Sequence, residues 1–312
     1  MSSPGTVPRV GDLVEVLSLE AIRATLDAEG ALEGLPFMPE MVRHCGKRLR
    51  VSAVMDRICG GGPGMRTVAG APLVRLEDLR CGGDVHGECS RGCTLLWKPG
   101  WLRVPGGAGA STSAPDPVPS PWPYPLRSGG GGWICQATGL AAATAPISAP
   151  RKVLSGVMDV GRGAWSAGEL ARVYLETVEH KLARAARRAR PAGGRTPVDR
   201  LDLAPGEWVE VKRFAEISPT LDREGKNRGL EFSRYMVPFC GGTYRVSARM
   251  ENFIDERDGS MRRLENTVLL EGVACGGGTP AGPCRRLEWL YWREIWLRRV
   301  PGPPESKGAR AT

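Results

Sequence analysis

An internal duplication is the feature that most constrains the fold of this chain. When residues 11–58 are aligned without a gap to residues 206–253, 22 of the 48 positions are identical. After one-residue shifts the alignment resumes and pairs Cys81 with Cys275, Cys89 with Cys284, Trp97 with Trp292 and Trp101 with Trp296. Chance does not produce this agreement, so the chain contains two copies of one structural unit, each about 95 residues long.

Each copy has the pattern of a small all-β domain. Short apolar-rich or alternating runs predict strands at 13–17, 48–55 and 73–79 in the first copy and at 208–212, 243–250 and 267–273 in the second. The polar, glycine-punctuated stretches 27–34 and 222–229 predict a long excursion loop without a strand, with Asp27 capping a turn. About five short strands with a long first loop indicate a strongly bent barrel, because closure removes exposed sheet edges.

Two motifs carry a resemblance to known proteins. They are a Cys-Gly-Gly sequence in the middle of the copies and a terminal aromatic motif, Leu96–Arg103 in the first copy and Tyr291–Arg298 in the second. On these residues each copy resembles the SH3-like barrels, and the whole chain is similar to a family of bacterial proteins with tandem SH3-like repeats. The resemblance implies a mainly β fold of two duplicated SH3-like small β-barrels. It implies no reaction, because the family has no established activity.

The segments between the copies complete the expected organisation. Ser166 followed by Glu169, with an apolar stripe and an arginine-rich end, predicts a helix at 166–190. We therefore expect a disordered N-terminus (1–10), a first repeat (11–104), a flexible Pro/Gly/Ser-rich linker (105–132), a connector with the basic helix (133–205), a second repeat (206–300) and a disordered C-terminus (301–312).

The net charge of +9 belongs mostly to the connector. Residues 11–104 carry 12 basic against 12 acidic side chains and residues 206–300 carry 16 against 14, whereas residues 151–205 carry 11 against 6. The arginines at the helix end complement its dipole, and an acidic partner is the alternative. The chain has no apolar stretch near the roughly 20 residues of a membrane helix and no secretory signal, so we expect a cytoplasmic protein that does not enter membranes.

The cysteines offer the clearest chemistry. Nine cysteines without a signal peptide argue against a disulfide scaffold and favour metal binding. Zinc needs four soft or borderline ligands arranged tetrahedrally. The sequence predicts a structural zinc site in the first repeat with four ligands drawn from Cys45, Cys81, His86, Cys89 and Cys93.

The second copy keeps only part of this set. It has Ala281 and Glu288 where the first copy has His86 and Cys93. A second site would use Cys240, Cys275 and Cys284, closed by Cys135 or left open for water as in a zinc enzyme; inert buried thiols are the alternative. A nucleophilic Cys135 is a further possibility, but few histidines could serve as its base.

Taken together, these patterns predict a non-catalytic adaptor or accessory protein that presents two related surfaces to a protein partner. One rival is a zinc- or cysteine-dependent enzyme using the second-repeat cysteines or Cys135. The other is a nucleic-acid-binding protein that uses the basic helix and the Trp/Arg rims of the barrels, with the paired tryptophans Trp97, Trp101, Trp292 and Trp296 as stacking platforms. Packing of these tryptophans within the barrels is the simpler account of their spacing.

Overall fold

A computed structural model describes residues 7–60, 64–105, 117–161, 165–189, 194–279 and 281–302. The disordered termini predicted at 1–10 and 301–312 and the flexible linker predicted at 105–132 lie partly outside these ranges, at residues 1–6, 303–312 and 106–116. In the described parts of the chain, none of the helices has the length and apolar character needed to cross a membrane.

The first repeat is built from nine short strands and one short helix among its described residues. The strands are β1 (Leu13–Val16), β2 (Ala31–Leu32), β3 (Leu35–Pro36), β4 (Arg48–Met55), β5 (Arg57–Cys59), β6 (Met65–Val68), β7 (Leu73–Arg80), β8 (Thr94–Trp97) and β9 (Leu102–Arg103). Helix α1 spans Leu19–Arg23, and 3-10 turns occupy Pro39–His44, Asp84–His86 and Pro99–Trp101. The β2–β3 hairpin lies across the end of the stretch predicted to be a loop, so the expectation of no strand there was wrong.

The connector contains the two longest helices among the described residues. It contains α2 (Gln136–Gly139), β10 (Thr144–Pro146), α3 (Ala149–Gly161) and α4 (Ala167–Arg188). The helix predicted at 166–190 is present and spans Ala167–Arg188, and its first turn is closed as expected. The backbone N–H of Glu169 donates to Ser166 Oγ at 3.2 Å, and the N–H of Ser166 donates to the Glu169 carboxylate at 2.8 Å.

The second repeat follows the same order. Its elements are β11 (Trp208–Val211), α5 (Phe214–Ile217), β12 (Lys226–Asn227), β13 (Leu230–Glu231), β14 (Thr243–Arg249), β15 (Asn252–Ile254), β16 (Met261–Arg263), β17 (Thr267–Leu270), β18 (Gly278–Thr279), β19 (Gly282–Pro283), β20 (Trp292–Arg293) and β21 (Leu297–Arg299). Three 3-10 turns lie at Ser218–Thr220, Arg234–Phe239 and Glu294–Trp296.

Each repeat forms one five-stranded antiparallel sheet that curls into a half-barrel. The order is β8-β7-β4-β1-β9 in the first repeat and β20-β17-β14-β11-β21 in the second. The pairing register shifts between Val51 and Ala53 in β4, and between Val246 and Ala248 at the matching place in β14. Such irregularities bend a strand, which explains how the last strand of each sheet returns to pair with the first.

The duplicated tryptophans form the centre of each core. Trp97 and Trp101 are fully buried, and the ring of Phe37 packs edge-on against both, with centroids 6.3 and 5.3 Å apart. The indole N–H of Trp101 donates to Thr25 Oγ1 at 3.1 Å. The second repeat repeats this arrangement with Phe232, Trp292, Trp296 and Thr220. The packing interpretation is confirmed, and these four rings have no exposed face on which a base could stack.

The compact units of the structure do not coincide with the two repeats. Unit 1 contains Met1–Val173 together with two segments of the second repeat, Asn252–Arg263 and Gly276–Glu288. Unit 2 contains Tyr174–Glu251, Leu264–Cys275 and Trp289–Thr312. The boundaries at 11–104 and 206–300 describe the duplication in the sequence, whereas the first compact unit draws on both copies.

Candidate metal centre

Three segments of unit 1 converge on one buried point. Glu40 lies in the 3-10 turn Pro39–His44, Cys81 directly follows β7, and His86 ends the 3-10 turn Asp84–His86. The backbone N–H of Cys81 donates to the carbonyl of Cys93 at 2.8 Å, which fixes where β7 leaves the sheet. The ligand atoms of Glu40, Cys81 and His86 all lie within 4.8 Å of one another.

The loop that carries His86 depends on a glycine. Gly83 has φ +82°, and a Cβ atom at this position would overlap the carbonyl oxygen of Cys89. Only glycine accepts both conditions without strain. The sequence Cys81-Gly-Gly therefore turns the chain back sharply enough to bring the imidazole of His86 over the thiol of Cys81, and the ring of Trp133 packs edge-on against that imidazole at 6.2 Å.

The distances within the group fit a small cation. Cys81 Sγ lies 3.1 Å from Glu40 Oε1 and 3.8 Å from His86 Nδ1, and His86 Nδ1 lies 3.9 Å from Glu40 Oε1. Tetrahedral zinc with its usual bond lengths separates such ligand atoms by roughly 3.3–3.7 Å. The three observed separations differ from these values by at most about 0.6 Å, so small side-chain adjustments would place all three atoms on one ion.

Two polar atoms of this group have no hydrogen-bond partner among the described residues. They are His86 Nε2 and Glu40 Oε2, and both are shielded from solvent. Buried polar atoms are normally paired, and each orphan costs on the order of 1–3 kcal/mol. The group therefore has unsatisfied polar capacity in addition to the three converging atoms Cys81 Sγ, His86 Nδ1 and Glu40 Oε1.

The cavity beside these residues is small. Its volume is about 20 Å³, which suits one water molecule or one ion, whereas sites for organic ligands enclose about 300–1,000 Å³. Besides Glu40, Cys81 and His86, the lining includes Cys89, Arg91, Cys93, Cys135 and Ile254.

Burial sets the protonation states around the cavity. Burial and the neighbouring carboxylate of Glu40 raise the pKa of Cys81, and the nearby Cys135 adds to the same effect. Burial also raises the pKa of Cys93 and of Cys135, and it lowers the pKa of His86 against the opposing attraction of Glu40. The protein alone holds neutral thiols and a neutral imidazole here, and a bound cation would supply the positive charge that stabilises thiolates.

A side-chain amide fixes Cys135 at this cavity. Gln136, the first residue of α2, accepts from the backbone N–H of Leu96 at 2.8 Å and donates to the carbonyl of Leu96 at 2.7 Å, so it imitates a strand partner of β8. Its amide also lies 3.2 Å from the carbonyl of Pro36. Cys135 itself is held by its backbone N–H, which donates to Thr138 Oγ1 at 3.0 Å. Its burial and its raised pKa argue against a nucleophilic role.

The structure brings together part of the predicted ligand set. Cys81 and His86 belong to the group, and Cys89 and Cys93 line the cavity. Cys45 does not line the cavity and lies fully buried in the apolar core. Glu40 lies near the start of the 3-10 turn Pro39–His44, whereas Cys45 comes just after its end. Glu40 was missed from the sequence, although it lies at a position where the two copies differ, opposite Tyr235.

The residues of the proposed second set belong to two different units. Cys284 lies against Cys59 in unit 1, and Cys135 lines the cavity described above. Cys240 and Cys275 belong to unit 2 and pack partly buried against its apolar core. Within the described ranges, Glu40, Cys81 and His86 form the one group of such side chains with metal-binding spacing.

Comparison of the chain with protein-family models, with curated proteins and with solved structures finds no match. The converging side chains of unit 1 are therefore the feature of this chain that indicates a function. They provide a soft sulfur, an imidazole nitrogen and a carboxylate oxygen around a cavity of ionic size, which is a metal-binding combination.

Proposed function

We propose that this chain is a non-catalytic binding protein built on two SH3-like half-barrels, and that unit 1 holds one structural zinc ion. The observation that supports the zinc site is the convergence of Glu40, Cys81 and His86 around a cavity of about 20 Å³. Cysteine, histidine and carboxylate together are a ligand set that zinc accepts. A bound ion would connect three segments that share no strand pairing at that point.

Cys135 is the proposed fourth ligand. It lines the same cavity, and its thiol is close enough to contribute to the raised pKa of Cys81. Four protein ligands would close the coordination sphere, which is typical of structural zinc, whereas a catalytic zinc keeps one position for water. The small buried cavity supports the closed arrangement because it has no room for a substrate beside the ion.

The SH3-like assignment is supported by strand order. In both repeats four strands form a meander, a 3-10 turn follows, and the fifth strand pairs back with the first. The role in binding a protein partner rests on the presentation of this scaffold twice, with loops that differ between copies. An experimental structure in which β9 did not pair with β1, or β21 with β11, would contradict the assignment.

Metal content tests the zinc site. Elemental mass spectrometry of protein purified without chelators should find one zinc ion per chain. Cys81→Ser, His86→Ala and Glu40→Gln should each lower this content, while the controls Cys240→Ala and His180→Ala should retain it, because these residues lie outside the group. Zinc-free wild-type protein, or full zinc content in Cys81→Ser, would refute the proposal.

Cobalt substitution distinguishes a closed site from an open one. The Co²⁺ form of the wild type should show thiolate-to-cobalt charge-transfer absorption from two sulfurs and the strong visible bands of a tetrahedral ion. Cys135→Ala should lose about half of the charge-transfer intensity. Unchanged intensity would exclude Cys135 as a ligand, and a five-coordinate spectrum in the wild type would favour the rival zinc enzyme.

The rival based on nucleic-acid binding receives no support from the tryptophan pairs. Their rings are enclosed in the two cores, so they cannot stack on bases.

A further inference from the structure

A second pair of sulfur atoms lies elsewhere in unit 1. Cys59 is the last residue of β5, and Cys284 follows β19 in the segment Gly276–Glu288. Their Sγ atoms are 2.9 Å apart although 225 residues separate them in the chain. This separation is shorter than a contact between unbonded sulfurs and longer than a disulfide bond, and both cysteines are free.

Two arginines hold the pair in register from opposite sides. Arg57, two residues before Cys59, donates to the carbonyl of Ala281 at 2.6 Å, which precedes Cys284 by three residues. Arg286, two residues after Cys284, donates to the carbonyl of Cys59 at 3.1 Å. Arg57 is itself fixed by two hydrogen bonds to the carboxylate of Asp159, at 2.7 and 2.9 Å. The sulfurs therefore face each other because the backbones on both sides are clamped.

The surroundings favour one thiolate and one thiol. The pKa of Cys284 is lowered by the hydrogen bond it shares with Cys59, by the backbone N–H groups of Arg286 and Cys59, and by the positive charge of Arg286, against the effect of burial. The backbone N–H of Cys59 lies 3.4 Å from Cys284 Sγ. The shared proton and burial raise the pKa of Cys59. Negative charge is thus placed on Cys284.

We propose that Cys59 and Cys284 are a peroxide-sensitive dithiol that closes to a disulfide and links β5 covalently to the segment Gly276–Glu288. The Cys284 thiolate attacks one oxygen of hydrogen peroxide, the O–O bond breaks, and hydroxide leaves, which gives a sulfenic acid on Cys284. The sulfur of Cys59 then attacks the sulfenic sulfur, an S–S bond forms, and the OH group leaves as water with the Cys59 proton. Overall, two thiols are oxidised and one peroxide is reduced to two water molecules.

Hydrogen peroxide fits this site because it is small. Cys284 is 5% exposed, so access to it is restricted and favours an oxidant close to water in size over a bulky one. Cys59 is less completely covered than Cys284. This inference does not depend on the zinc proposal, since neither cysteine belongs to the group of Glu40, Cys81 and His86.

Peptide mapping of the full chain as purified tests the proposal. Reduced protein is treated with one to two equivalents of hydrogen peroxide, the remaining thiols are alkylated, and peptides are analysed without reduction. The expected product is a Cys59–Cys284 cross-linked pair, with two thiols lost per chain and zinc content unchanged. In Cys59→Ser, the resolving thiol is absent, so dimedone should trap a sulfenic acid on Cys284.

The control is Cys240→Ser, which removes a partly buried cysteine of unit 2 and should leave the Cys59–Cys284 cross-link intact. If Cys59→Ser did not fold, the wild-type peptide map alone would still decide. A map in which Cys59 and Cys284 are alkylated after peroxide, or are bonded to other cysteines, would overturn the proposal. Equal thiol loss in wild type and Cys284→Ser would also overturn it.

Discussion

A buried charge network in unit 1 gives the sharpest stability prediction. The side chain of Arg286 is 4% exposed and forms ion pairs with Glu256 at 2.8 Å and Glu288 at 2.9 Å. Arg91 pairs with the same two carboxylates, so two guanidinium groups balance two carboxylates inside the fold. Burial opposes the charge of Arg286, but the carboxylates of Glu288 and Glu256 outweigh it and raise the pKa of the guanidinium.

Arg286→Met breaks this balance. The substituted side chain fills most of the space, but Glu256 and Glu288 then share the single charge of Arg91, and a negative charge is left buried without a partner. Removing one member of a buried ion pair costs about 3–5 kcal/mol. For a unit of about 200 residues, this corresponds to a fall in melting temperature of roughly 6–20 °C.

The adjacent arginine supplies a matched control. Arg285 is exposed, and the bond from Arg75 reaches its backbone carbonyl, which Arg285→Met retains. Arg285→Met should therefore change stability by less than about 0.5 kcal/mol. Scanning calorimetry measures the shift, and hydrogen exchange of the segment Gly276–Glu288 shows whether it arises in unit 1. Equal melting temperatures for the two variants would refute the assignment, and Arg286→Met/Glu288→Gln should recover part of the loss because it removes the excess charge.

Three further predictions concern local features. Thr25→Val and Thr220→Val should each lower the free energy of unfolding in urea by about 1–3 kcal/mol, because each leaves a buried indole N–H without an acceptor. A loss of stability no larger than that caused by the same substitution at an exposed threonine would contradict this. Gly83→Ala should lose zinc because the loop at positive φ cannot form; unchanged metal content would argue against the site. Since the folded-state pKa of Cys81 is raised, zinc-free protein should lose stability as pH rises above about 8.5, the pKa of an unfolded thiol. Zinc-loaded protein should lose less stability over the same pH range, because only the other buried thiols, such as Cys93 and Cys59, still contribute. Parallel pH profiles of the two forms in chemical denaturation would refute this.

The sequence predicts the repeated parts of the fold well because the same physics acts twice. An apolar strand pattern that recurs at a spacing of 195 residues predicts equivalent strands in two equivalent sheets. The equivalent burial of the tryptophans in both copies agrees with this. The two-residue strands of the β2–β3 hairpin escape detection because they are too short to show alternation. They are defined instead by pairing between Ala31 and Pro36 across a glycine turn.

The candidate site is less predictable from the sequence. The cysteine and histidine of its loop are recognisable as soft ligands, but Glu40 lies 41 residues from Cys81, and a carboxylate on its own looks like any surface charge. The signal that could have found it is the difference between copies, since the second repeat has Tyr235 at this position and Ala281 in place of His86. Alignment of the copies reveals the shared scaffold through identities and the site through substitutions.

Unit 1 is built from segments of both copies, and this constrains the order of its folding during synthesis. Residues of its core and of its charge network come from the segment Gly276–Glu288, which leaves the ribosome after more than 100 further residues have followed Val173. The first half-barrel can form early, but Arg91 has neither carboxylate until Glu256 and Glu288 are translated. Folding of this unit is therefore completed late, and a chain that terminated between the repeats would leave Arg91 and Cys59 without their partners. Two segments of the second copy are thus required to complete the unit that contains the first copy.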